Sequence, residues 1–352
     1  MKNIPRRQPG PLALLGSGET SASGRRVFEW LFRRFEPPVR VAILETPAGF
    51  QPNSREVARE IAEFLEEHLP GFSPAVTIIP ARKRGTTFSP EDPRLAESVL
   101  AADCIFLGPG SPSYAARQLR GSIVWNAARA RFAAGAALVL ASAAVLAVGA
   151  QTLPVYEIYK AGFDLSWDPG LNLLGAAGVP VTFVPHWNNR EGGAALDTSH
   201  CFMGMDRFEA LRALLPTDDP IVGIDEHTAL IVEPEGKGQV LGLGEVTIER
   251  RGQVSVHASG DVFSFDEVGT FDWEAFAEDV PHELLEMIPK VPPKAESSPV
   301  PAEVTHLIVL REEARKARDW QSADSLRAAI AEHGYQVQDT PDGPRVSASP
   351  SR

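Results

Sequence analysis

From Phe132 to Tyr156 the chain carries no charged side chain. This run constrains the fold more than any other feature. It is long enough to cross a bilayer, yet Ala and Gly dominate it and it has no second apolar partner segment. It reads better as two short elements. "GAALVL" has the continuous apolar character of a strand buried on both faces, and "SAAVLAVGA" that of a helix packed closely against it. Ser142 is the one polar side chain in "GAALVLASAAVLAVGA". It falls at the join, either as a nucleophile presented on a tight turn or as a small residue within an apolar run.

The same alternation precedes the run. "PLALLGSGE", "VRVAILETP", "AVTIIP" and "CIFLGPG" read as strands. "SGRRVFEWLFRRF", "SREVAREIAEFLEEHL" (with Ser54 as N-cap), "SPEDPRLAESVLAA", "SYAARQLRG" and "VWNAARARFAAG" read as helices. Repeated βα units of this length predict an α/β fold with a doubly wound, mostly parallel sheet. After Val181 the pattern changes to short strands, "VTFVPHW", "IVGIDE", "TALIVEP", "QVLGLGEVTIER" and "QVSVHASG", which predict an antiparallel extension. "FDWEAFAEDVPHELLEMI" reads as a closing helix. The predicted organisation is a main domain over 10–290, a Pro-rich linker over 291–303 and a small helical hairpin with a short tail over 304–347.

Charge and cysteine content remove several classes of function. A net charge of −12 argues against nucleic acid or anionic lipid as the main domain's partner. Cys104 and Cys201 are the only cysteines and lack CxxC spacing, so neither a disulfide framework nor a zinc ribbon is expected. "MKNIPRRQPG" has no apolar core of a signal peptide. A soluble, cytoplasmic protein without membrane partner, metal or cofactor is the expectation.

In an open α/β sheet the chemistry gathers where strands end. Four stretches lie there: "GSGET" (Gly16, Ser17 and Glu19), "GPGSPSY" (Gly110 and Ser111), Ser142, and "PHWNNREGG" (His186, Asn188, Asn189 and Glu191). The backbone amides of the glycine turn can hold an anion or an oxyanion, while Ser111 can equally be a helix cap. A strand–Ser–helix join with a later histidine outlines a nucleophile elbow. His186 and His200 lack HxxxH spacing, which speaks against a metal. Cys201 is read as an inert buried thiol rather than a reactive one. In "DEH", the alternation of a strand puts Asp225 and His227 on one face and Glu226 on the other, as a candidate pocket residue.

These residues resemble the dipeptidase E and cyanophycinase group of serine peptidases, over about residues 10 to 290. The resemblance is carried by "LLGSGE", "FLGPGSPSYAARQL", the serine of "ASAA", the histidine of "PHWNN" and "GIDEHTALIV". It implies a class I glutamine amidotransferase-like fold, Ser142 as nucleophile and His186 as general base. It also implies an acid between them in sequence, for which Glu157 is the first candidate and Asp164 the next, and an oxyanion hole from Gly110 and the Ala143 amide. Tyr159 joins the expected pocket wall. The family's elbow is G-x-S-A-G, whereas this chain has Leu140-Ala141-Ser142-Ala143-Ala144. Two functions stay open: a serine hydrolase acting on a small peptide or amide, and a non-hydrolytic relative that binds a small ligand.

The C-terminal "REEARKARDWQSADSLRAAIAEHGYQVQDTPDGPRV" resembles the last piece of cysteinyl-tRNA synthetases. The synthetase's ATP-site motifs and zinc-ligating cysteines are missing, so the chain is not expected to be a synthetase. From Val304 on, basic and acidic residues are equal in number, which leaves no electrostatic footprint for tRNA. Whether this segment meets RNA, docks on the main domain or builds a homo-oligomer stays open.

Overall fold

The charge-free run folds as strand, turn and helix. In the computed structural model, which describes residues 8–216, 218–289, 302–332, 334–340 and 343–348, every residue of the strand Ala137–Ala141 is buried. Leu138 and Leu140 face one core, with Leu12, Leu14, Ile105 and Leu107. Ala137, Val139 and Ala141 face another, with Ala13, Leu15, Phe28 and Phe106. Burial on both faces is why no polar residue interrupts the strand. No helix among the described residues is long and apolar enough to cross a membrane.

The chain divides into two units, Met1–Pro289 and Lys290–Arg352. The first opens with β1 (Leu12–Leu15), α1 (Ala22–Phe32), β2 (Arg40–Leu44), α2 (Ser54–His68), β3 (Ala75–Ile79), α3 (Pro93–Leu100) and β4 (Cys104–Leu107). It continues with α4 (Pro112–Leu119), α5 (Ile123–Ala133), β5 (Ala137–Ala141) and α6 (Ala143–Ala147). Then come two short strands, β6 (Gln151–Thr152) and β7 (Asp168–Pro169), followed by β8 (Thr182–Val184), α7 (Met205–Arg212), β9 (Ile221–Ile224) and β10 (Thr228–Val232). The unit ends with β11 (Lys237–Gly242), β12 (Glu245–Arg250), β13 (Gln253–Ala258), β14 (Val262–Ser264), α8 (Trp273–Glu278) and α9 (His282–Met287).

The main sheet has eight strands in the order β14-β11-β10-β1-β5-β4-β2-β3. β1, β5, β4, β2 and β3 run parallel, and β10, β11 and β14 extend the sheet antiparallel. A four-stranded sheet, β13-β12-β9-β8, carries the rest. Here β8 and β9 are parallel, with Thr182 opposite Ile221. This departs from the antiparallel expectation because α7 lies between them in sequence, and a parallel pair needs such a crossover.

Three other local expectations change. "QVLGLGEVTIER" is two strands in different sheets, because the backbone turns at Gly242. That residue has φ 132°, and a Cβ there would come within 2.3 Å of the His227 carbonyl oxygen. The closing helix is broken into α8 and α9 before Pro281, which cannot continue a helix. Ser54 is inside α2, not its cap, and its hydroxyl donates to Glu45 at 3.0 Å.

The second unit pairs α10 (Ala302–Lys316) with α11 (Trp320–Glu332) around Val304 and Ile330. The predicted tail is a β-hairpin, β15 (Tyr335–Thr340) and β16 (Gly343–Ala348), whose Val337 closes the same core. The buried Arg311 pairs with Asp339 at 2.8 Å and ties helix to hairpin. Most of the linker expected over 291–303 lies outside the described residues, and Ala302 and Glu303 already belong to α10.

One substitution tests the packing at the site edge. Gly16 follows β1, and a Cβ there would come within 2.0 Å of the Asp225 carbonyl oxygen. Gly16→Ala is expected to destabilise the first unit by about 1–3 kcal/mol, read from the urea midpoint, because backbone cannot move aside as a side chain can.

Candidate functional site

Four strand ends and one turn build the site. Leu15 lies beside Ala141 and Leu107 beside Leu140, so the turns after β1, β4 and β5 leave one edge together. Ser142 follows β5 and its N–H still donates to the Leu15 carbonyl at 3.0 Å. The serine then adopts φ 51° and ψ −113° before α6 begins. That conformation is rare for a residue with a Cβ and costs about 1–3 kcal/mol. The hydroxyl makes no helix-capping bond. It lies 2.8 Å from His186 Nε2.

His186 comes from the other sheet. Val184, the last residue of β8, pairs with Gly223 in the parallel β9. The chain therefore leaves both strands at the same end, and His186 stands beside the turn Asp225–His227. Its Nδ1 lies 2.9 Å from Glu226 Oε1. A carboxylate only accepts, so Nδ1 carries the proton and Nε2 presents its lone pair to the Ser142 hydroxyl. Asn189 is 1% exposed and donates to the same Glu226 oxygen at 2.8 Å, while Asn188 Oδ1 accepts from the Glu226 N–H at 2.9 Å. The hydrogen bond from His186 holds the Glu226 carboxyl below its ordinary pKa. Burial opposes this, and Asn189 adds to it.

The expectation that Glu157 meets the imidazole does not match this geometry. Glu157 lies in the π-helical turn Tyr156–Lys160, and its Oε1 accepts from Ser113 Oγ at 2.5 Å. Asp164 is exposed. The carboxylate on His186 is Glu226, which follows the histidine in sequence and reaches it because β8 and β9 are neighbours. Nor is "DEH" part of a strand: it is the turn joining β9 to β10, with His227 at φ 55°. The signal that could have revealed Glu226 is its position just past a strand end, next to the strand that delivers the histidine.

The remaining predicted residues divide into those that frame this line and those that do not. Gly110 has φ 149°, and a Cβ there would come within 2.0 Å of the Pro47 carbonyl oxygen, so only glycine fits. Ala143 opens α6 directly after Ser142. Ser111 caps α4 through the Tyr114 N–H at 3.2 Å. Ser17 Oγ accepts from the His227 N–H at 3.0 Å. The Tyr159 ring lies 5.5 Å from that of Phe202. Glu19 is half-buried and takes no part in these bonds, and Glu191 is exposed, joined to Asn189 only through its backbone N–H. Leu140 and Ala144, standing where the family elbow has glycines, both point into the same apolar core. The turn keeps its strained geometry without them.

A left-handed turn backs the histidine. His200, Cys201 and Phe202 have φ of 53°, 56° and 70° in succession. The His200 N–H donates to the Trp187 carbonyl at 2.9 Å, and the Cys201 N–H to the His186 carbonyl at 3.1 Å. Burial, with the nearby Glu226 charge, pushes the Cys201 thiol up to about 12. Burial also raises the Cys104 thiol.

Fold and geometry together define a mixed α/β protein, its main sheet mostly parallel, with a hydrogen-bonded Ser–His–Glu line at its sheet edge. Among solved structures it is similar to a peptidase from an acI-B1 Actinobacterium. The TM-score is 0.59 and the identity 22%, over 74% of this chain and 98% of that one. Residues 297–345 match the family model of the cysteinyl-tRNA ligase anticodon binding domain. Cysteine–tRNA ligases match correspondingly: that of Methanosarcina mazei at 48% identity over 56 residues (16% of this chain, 12% of the ligase), and that of Chlamydia abortus at 38% over 81 residues (21% and 17%). The chain thus spans about an eighth and a sixth of the length of these two ligases.

Two measurements follow from the electrostatics. Because the folded pKa of Glu226 is depressed, its bond to His186 contributes stability above the unfolded-state pKa and loses it as pH falls through the folded value. Carbon-13 NMR should show Glu226 titrating below a free glutamate, with Asn189→Ala moving it upward. Iodoacetamide at neutral pH should leave Cys104 and Cys201 unmodified in the folded protein and alkylate both in urea, read by intact mass.

Proposed function

We propose that the first unit is a serine hydrolase that cleaves a peptide or amide bond through an acyl-enzyme. The observation that carries this reading is the line Ser142 Oγ, His186 Nε2, His186 Nδ1, Glu226 Oε1, with steps of 2.8 and 2.9 Å, starting from a serine at φ 51°. Ser142 attacks the carbonyl carbon while Nε2 takes its proton, and the imidazolium returns that proton to the departing nitrogen. Glu226 keeps the imidazole in the tautomer this requires and stabilises its charged form. The amides of Gly110 and Ala143 are the donors proposed for the oxyanion, one from each neighbouring turn.

The test is intact-mass analysis after a fluorophosphonate probe. A single adduct is expected on the wild type and none on Ser142→Ala. Glu226→Gln should slow labelling by about 10²–10⁴-fold, the size of effect seen when a triad carboxylate is neutralised, whereas Glu157→Gln should still label. An unlabelled, folded wild type, also unreactive toward a smaller probe, would favour the non-hydrolytic, ligand-binding alternative.

A separate observation favours a second role for the C-terminal unit. Trp320 is 59% exposed and has exposed Lys316 and Arg318 close by in sequence. An exposed aromatic beside cations can stack an unpaired base. Together with the match to an anticodon binding domain, this supports contact with a tRNA-like RNA. The full chain should then retard tRNA in a gel at low salt and Trp320→Ala should weaken the shift. Equal retardation of both chains would remove Trp320 from the contact.

A further inference from the structure

Two hydrogen bonds fix the nitrogens of His186, but they do not fix the plane of its ring. The imidazole can still tip about the line joining Ser142 to Glu226. A third contact, to the ring itself, is needed, and the structure contains one. The Phe202 ring lies 5.9 Å from the His186 ring, inclined at 48°.

Phe202 is itself held unusually firmly. Its φ is 70°, and it ends the run of left-handed residues that begins at His200. Such residues normally occur singly, and a run of them persists only where surrounding bonds over-determine it. Here the Phe202 N–H donates to the Thr198 carbonyl at 3.0 Å, and its own carbonyl accepts from Arg207 Nη2 at 2.9 Å. Arg207 Nε bonds the next carbonyl, that of Met203, at 2.5 Å. The turn is also sewn to the histidine, since the Cys201 N–H donates to the His186 carbonyl. Phe202 also meets Tyr159, with ring centroids 5.5 Å apart. Of the two residues before Phe202, His200 turns to another aromatic neighbour, Phe208, at 4.6 Å, and Cys201 is buried near the Glu226 charge. The left-handed turn thus leaves Phe202 beside the imidazole while His200 stacks on Phe208.

We infer that Phe202 is a positioning residue for His186: its ring, clamped by the left-handed turn and by Arg207, sets the plane of the imidazole and shields the Nδ1–H···Glu226 bond from water. The catalytic meaning of this rests on the hydrolase reading, but the contact can be tested without it.

The experiment reads the low-field proton NMR signal of the His186 Nδ1–H, assigned by its loss in Glu226→Gln, in the full chain. Phe202→Ala is expected to speed its exchange with solvent by about tenfold, the scale of one lost aromatic contact. Phe202→Leu, which keeps an apolar cover, should restore most of the protection. Phe208→Leu, in the same core but away from the imidazole, should lower thermal stability without speeding exchange. Fluorophosphonate labelling of Ser142 should follow the same order across the variants. Exchange unchanged in Phe202→Ala, or accelerated equally in Phe208→Leu, overturns the inference. A wild type that resists the probe while exchange still depends on Phe202 defeats the hydrolase reading alone and leaves the positioning role standing.

Discussion

The bond between His186 and Glu226 is the interaction on which the rest of the site depends. It exists because two parallel strands of the smaller sheet end side by side, and it decides which imidazole nitrogen carries the proton. Without that carboxylate the nitrogen facing Ser142 would be free to be the donor, and the serine hydroxyl would have nothing to give its proton to. Asn188 and Asn189 then hold Glu226 from its backbone and its side chain. In "PHWNN" the two asparagines thus converge on one carboxylate.

Strain at the site is balanced by order around it. Ser142, His186, His227 and the His200–Phe202 run all hold positive φ without being glycine. Each is flanked by fully buried apolar chain or tied by backbone hydrogen bonds. Gly110 supplies a conformation that no side chain tolerates. Backbone of this kind is held only by a rigid surround, and here that surround is two sheets and their covering helices.

How much of this could be read from the sequence depends on the range of each interaction. The parallel strands were legible because burial on both faces leaves continuous apolar runs such as Leu12–Leu15 and Ala137–Ala141. The change of sheet between Gly242 and Gly244 was not, since the alternation of side chains looks the same on either side of it. At the site, Ser142 and His186 stand out as polar residues at strand ends, and the structure brings them together. Glu226 stood out only as a pocket residue, not as the partner of His186: what unites the two is the neighbouring of β8 and β9, which no local pattern records. Glu157 satisfied an order along the chain that space does not follow. The C-terminal hairpin strands were hidden in a short polar tail, where only Tyr335, Val337 and Val346 mark a buried face.

Ser142 and the residues facing it belong to different sheets, and the turn Asp225–His227 is one of the connections between those sheets. The serine is made early in synthesis, on a strand whose neighbours β1 and β4 precede it. Its imidazole comes later and the carboxylate later still. The hydrogen-bonded line therefore forms only once the second sheet has closed beside the first. Until then Ser142 stands at its strand end with no imidazole beside it.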